Sequence, residues 1–235
     1  LIGIHYKQEL VALFIAALLS FSITVNRWMF INTTDSVLVA LSAISVLLLL
    51  KNRTQSKIWW VGLAMLIVAS GFTRVSVLEW LAISLVLFLR RERIKAIFIT
   101  VIASVVFIPA IYRNTSSAIL PNERQSGLIE KMMAYPKTFI RVGFYEIAEL
   151  AVLDRLLLMF LFVALVFSIF SWRAFSSQVF ITEIFALWVT GAVNGTIGVN
   201  FRYQLPLIVF GAWSLIDFFS NETHFSNLVL SNGHK

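Results

Sequence analysis

The chain has 235 residues, 59% of them hydrophobic and 13% charged, with a formal net charge of +7 and a mean hydropathy of +0.87. A water-soluble domain carries far more surface charge, so the composition points to an integral membrane protein. The absence of cysteine removes disulfides and thiolate metal sites. The three histidines, His5, His224 and His234, lie near the ends and suggest no metal site. No nucleotide-binding glycine loop and no HExxH motif occurs. The excess of positive charge reads as membrane topology, with no nucleic-acid partner.

Apolar runs of helix length recur along the chain, without the ten-residue alternation of a β-barrel. The expected class is therefore all-α and polytopic, with about eight transmembrane helices. In chain order the runs cover roughly 10–31, 36–50, 58–72, 75–89, 96–112, 151–170, 179–193 and 205–219. Several hold only ~15 strictly apolar residues, short of the ~20 usually needed, so they borrow flanking residues or tilt. Residues 1–219 form one transmembrane domain, with an outer loop over about 113–150. Residues 220–235 read as a polar cytoplasmic tail.

Basic residues assign the sides. Lys51, Arg53, Lys57, Arg90, Arg91, Arg93, Lys95 and Arg173 fall in alternate connections and face the cytoplasm by the positive-inside rule, as do both termini. Arg27, Asp35, Arg74, Arg113, Asn200, Arg202 and Tyr203 then share the outer face. Arg202 and Tyr203, at the mouth of the last run, read in two ways. They anchor the helix to headgroups and the aromatic belt, or they contact a ligand. A cluster of arginines there suits a phosphate held by charge-assisted bidentate hydrogen bonds.

Other motifs carry a plainer alternative each. Thr33-Thr34-Asp35-Ser36 reads as an N-cap, with Asp35 also a ligand contact for the outer face. Glu146 and Glu149 share a helical face, as paired carboxylates for acid–base work need, or simply favour a helix N-terminus. Arg155 is expected to pair with Asp154 or a neighbouring carboxylate. Residues 127–142 mix apolar and basic side chains around Pro136, which suits an interfacial helix or a lid. Gly191, Gly195 and Gly198 give a close-packing stripe or a bend beside a ligand. Glu79 and Glu183 are the candidates for buried charge at mid-membrane, which suits a helix interface, a helix end or a transport path.

Three stretches, NTTDSVLVALSAISVLLLLKNR, WWVGLAMLIVASGFTRVSVLEWLAISLVLFLRRER and NFRYQLPLIVFGAW, resemble in order and spacing the GT-C superfamily of membrane glycosyltransferases. Those enzymes use polyprenyl-phosphate-linked sugars. IPAIYRN, at the end of the fifth run, is similar to their proline-plus-aromatic exit into an outer loop. The resemblance implies that Arg74, Arg202 and Tyr203 lie near the lipid-phosphate donor, with Asp35 and Arg113 as neighbours. No cofactor and no metal is expected.

In that family the catalytic carboxylate stands in a first outer loop, before the region matched here. The general base is therefore unassigned. The chain begins at Leu1 without an initiator Met, which reads as a processed or truncated product; the missing acidic loop reads either as an absent N-terminal part or as a degenerate relative without transferase activity. The expected function is sugar transfer from a polyprenyl-phosphate-sugar lipid at the extracytoplasmic face of the inner or plasma membrane. The alternative is a non-catalytic scaffold that packs against partner membrane subunits.

Overall fold

The computed structural model describes residues 2–26, 33–50, 56–72, 77–116, 147–148, 151–194 and 205–232. They are almost wholly helical, with no strand among the described residues, so the all-α class holds. The chain opens with α1 (Ile2–Tyr6), which packs on α2 (Glu9–Ser20). A Cβ on Gly3 would sit 2.5 Å from the Ala12 Cβ, so glycine is what lets the two meet. Lys7, at φ 56, closes α1 with paired bonds from Gln8 N–H to the Gly3 carbonyl (2.8 Å) and from its own N–H to Ile4 (3.2 Å).

The first apolar run is not one helix. α2 stops at Ser20, and the Phe21 and Ser22 amides bond back to the Leu18 and Leu19 carbonyls (3.2 and 3.0 Å). Ser22 Oγ then accepts from the Val25 amide (3.1 Å) and caps a new turn. Serines compete with the helical ladder for backbone partners, and at this break they win.

The remaining helices are α3 (Thr33–Leu50), α4 (Lys57–Phe72), α5 (Val77–Leu89), α6 (Arg93–Ser116), α7 (Arg155–Phe170), α8 (Phe175–Asn194) and α9 (Leu205–Asn232). Arg91, at φ 67, ends α5 in the same manner as Lys7 ends α1, with Glu92 N–H on the Leu87 carbonyl (2.9 Å). α9 does not stop at Phe219. The polar tail continues as helix to Asn232, since nothing between Ser220 and Gly233 breaks one.

Side-chain hydrogen bonds fix an up–down bundle. Trp59 at the start of α4 donates to the Leu48 carbonyl near the end of α3 (3.0 Å). Trp80 at the start of α5 donates to Ser70 near the end of α4 (3.0 Å). Ser84 of α5 bonds the Ala96 carbonyl (2.8 Å) and the Thr100 hydroxyl (2.7 Å) of α6. Ser168 near the end of α7, Ser177 near the start of α8 and Ser214 of α9 meet at one level. Consequently α3, α5 and α9 begin at one end of the bundle, where α4, α6 and α8 finish.

The core holds Trp80, Trp213, Phe180, Phe210, Leu63 and Ile67. Polar side chains are buried within this apolar core, and large apolar ones are exposed around it. Ser22, Ser42, Ser70, Glu79, Asp154, Ser168, Ser177, Glu183 and Ser214 are buried. Leu10 (83% exposed), Ile58 (84%), Phe21, Met159, Phe162 and Phe170 face outward.

Among the described residues, no helix is long and apolar enough to cross a membrane. The most uniformly apolar ones are short: α5 has 13 residues, α4 and α7 have 16 each. The longer α6 carries Arg93, Lys95 and Arg113, and α9 carries Asp217 and Glu222.

Candidate functional site

The five residues expected to bind donor divide in two. Arg74, Arg202 and Tyr203 lie outside the described residues, as do Arg27, Asn200, Glu146, Glu149 and residues 127–142. Asp35 is the third residue of α3, and Arg113 falls in the last turn of α6. Asp35 thus lies inside the helix rather than before it as an N-cap. In the up–down arrangement both residues belong to the same end of the bundle. The connections that carry Arg74 and Arg202 follow α4 and α8, whose last residues, Phe72 and Asn194, also belong to that end.

The opposite end gathers the basic connections. Arg90 Nη1 donates to the Arg173 carbonyl (3.0 Å) and to Gln178 Oε1 (3.2 Å), with its guanidinium 5.6 Å from the Phe175 ring centroid. Lys95 pairs with Glu92. One arginine therefore ties the α5–α6 connection to the α7–α8 connection.

Asp154 sits just before α7. Its Oδ2 accepts from the Ser22 hydroxyl (2.5 Å) and the Thr24 amide (2.8 Å), and its Oδ1 accepts from the Leu157 amide (3.0 Å). Burial opposes the carboxylate, but the Ser22 hydroxyl and the Leu157 and Thr24 amides outweigh it and hold the group below the usual carboxylate range. The expected Asp154–Arg155 pairing does not form. Arg155 Nε instead donates to the Ala151 carbonyl (3.2 Å), because as N-cap Asp154 points into its own helix.

Two further polar groups occupy the interior. The hydroxyls of Ser168, Ser214, Ser177 and Ser171 are linked in series at 2.6, 3.0 and 2.8 Å, stitching α7, α8 and α9. Beside them Ser176 donates to Asp217 (2.5 Å), and Trp213 donates to the Tyr6 hydroxyl (3.0 Å). Burial, with the nearby Asp217 charge, pushes Tyr6 up to about 12 despite that Trp213 bond. The second group is Glu79 and Glu183, which lie in α5 and α8. Sequence reasoning singled out both carboxyls but missed Ser42, the hydroxyl that serves Glu79 (3.1 Å). Ser42 and Ser45, three residues apart in the mainly aliphatic part of α3, were the available signal.

No metal-holding group of three or more acidic, His or Cys side chains occurs among the described residues. No family model, curated protein or solved structure matches the chain.

Proposed function

We propose that the chain is an integral membrane helix bundle that binds a polyprenyl-phosphate-linked sugar at the end where α3, α5 and α9 begin. On this reading it acts as a glycosyltransferase of the GT-C type, or as the donor-binding part of one. The observation that carries the membrane half is the apolar outer surface, with Leu10, Ile58 and Phe162 exposed, around a core that also holds serines and carboxyls. Water penalises an apolar surface of that extent, whereas lipid tails accept it. Hydroxyls bonded across helices are a usual adhesive in lipid, where apolar contact alone gives little preference. Helices too short to cross alone reach through flanking residues and local thinning of the bilayer. The basic end, with Arg90, Arg91, Arg93 and Arg173, then faces the cytoplasm.

The donor half is supported by the family resemblance and by the shared end of Asp35, Arg113 and the helix termini that flank Arg74 and Arg202. Arginines there would grip the lipid phosphate with paired N–H bonds. They would also offset the negative charge that grows on the phosphate as the sugar C–O bond breaks. The acceptor hydroxyl needs a base to take its proton. Asp154 does not suit that role, since three donors already occupy its two oxygens.

Binding of a polyprenyl phosphate to the protein in nanodiscs tests this. Arg202→Ala and Arg74→Ala each weaken binding at least about tenfold, the loss of one charge-assisted hydrogen bond, without lowering the melting temperature. Equal binding by wild type and Arg202→Ala overturns the donor reading. The saturated Asp154 favours a second reading, a non-catalytic scaffold within a larger membrane complex. A partner at fixed stoichiometry, with no lipid phosphate retained, selects it.

A further inference from the structure

Two carboxyls are buried inside the bundle without a described cation beside them. Glu79, in the first turn of α5, is 3% exposed and accepts from the Ser42 hydroxyl of α3 (3.1 Å). Glu183, in the middle of α8, is 2% exposed, and its Oε2 has no hydrogen-bond partner among the described residues. α5 and α8, which carry the two carboxyls, pack directly on each other.

Among the described side chains, the charged groups on the neighbouring elements lie at the surface or have other contacts. On α6, Lys95 pairs with Glu92, and Arg93 lies 6.0 Å from the Phe88 ring centroid. Lys57 opens α4 and is exposed, and Arg155 opens α7 on the Ala151 carbonyl. Arg90, just after α5, is held by Arg173 and Gln178. Asp217 of α9 accepts from Ser176. Asp35 and Arg113 belong to the terminal turns of α3 and α6.

Two carboxylates in an apolar interior repel each other and lose their hydration, so an anionic pair requires a compensating cation. Two carboxyls and one hydroxyl offer few oxygens for a metal ion that takes six or more. A proton needs only one oxygen. We infer that Glu183, Glu79 and Ser42 form a proton-binding site in the bundle interior, in which the unpartnered Glu183 Oε2 carries the proton. Protonation of Glu183 removes the repulsion between the two carboxyls and leaves a single carboxylate, Glu79, anchored to α3 through Ser42. The packing of three helices is then conditional on one proton. The inference stands apart from donor binding, which concerns the arginines.

Infrared spectra of the protein in nanodiscs at neutral pH, recorded in H2O and D2O, test it. The wild type shows a protonated-carboxyl C=O band that moves in D2O, and Glu183→Gln loses that band. Ser42→Ala shifts the carboxyl absorption without abolishing the Glu183 band, because only the Glu79 partner is removed. Circular dichroism verifies that each variant retains its helices. A wild type without the band, or a folded Glu183→Gln that keeps it undiminished, overturns the assignment.

Discussion

Asp154 binds donors from two parts of the chain that are 130 residues apart, and so locks the turn after α2 to the start of α7. Asp154→Ala removes the cap of α7 and strands the Ser22 hydroxyl and the Thr24 amide. The expected loss of stability is about 3 kcal/mol. The folded carboxyl titrates below its unfolded value, so this contribution is complete above the unfolded range. It disappears as pH falls through that range toward the folded value. Thermal melting in detergent checks this: the gap between wild type and Asp154→Ala is wide at pH 7 and narrows below about pH 4. A gap that is absent at pH 7, or that widens in acid, counts against the assigned role. Sequence spacing suggested Arg155 as the partner because it sees only neighbours along a helix. Ser22 and Thr24 were illegible because their contact with Asp154 is tertiary.

Among the elements, α9 packs through a glycine that no spacing motif marks. Gly195 and Gly198 of the stripe legible in the sequence lie outside the described residues, as do the surroundings of Gly191; a close approach within the described core is at Gly211. A Cβ there would lie 3.2 Å from Phe180 Cε2 on α8 and 3.3 Å from the Ala164 Cβ on α7. One glycine therefore sets the depth at which α9 settles against two partners. Gly211→Ala keeps stability within about 1 kcal/mol of wild type, since the gain in helix propensity offsets a small displacement of Phe180. Gly211→Leu has no room and costs about 3 kcal/mol, at the upper end of overpacking. Melting curves that leave Gly211→Leu equal to wild type rule out this contact. Helix positions themselves were largely readable, because uninterrupted apolar runs are a strong local signal. The ends were less so. Lys7 and Arg91 close helices in a conformation usually left to glycine, and the break at Ser20–Ser22 is stabilised by Asp154 from afar.

For the molecule as a whole, composition suggested a membrane environment, and the exposed side chains are where that reading can be tested. α7 is apolar all round: Leu157, Phe160, Ala164 and Ser168 face in, while Met159, Phe162, Ile169 and Phe170 face out. A helix apolar on every face belongs either to the middle of a large core or to lipid, and periodicity cannot separate the two. The outward half of α7 is exposed, which leaves lipid as its solvent under the proposed reading. The chain has no cysteine, so a single engineered one is its sole thiol. In nanodiscs, Met159→Cys and Phe162→Cys resist a membrane-impermeant maleimide, whereas Arg173→Cys, at the exposed basic connection, reacts readily. All three react once the protein is unfolded in detergent, which excludes a blocked thiol. If Met159→Cys labels as fast as Arg173→Cys in the intact nanodisc, that face meets water rather than lipid. The membrane reading then fails, and a lipid-linked donor at the arginine end loses its setting. If only Arg173→Cys labels, the exposed apolar side chains have found the solvent that explains them.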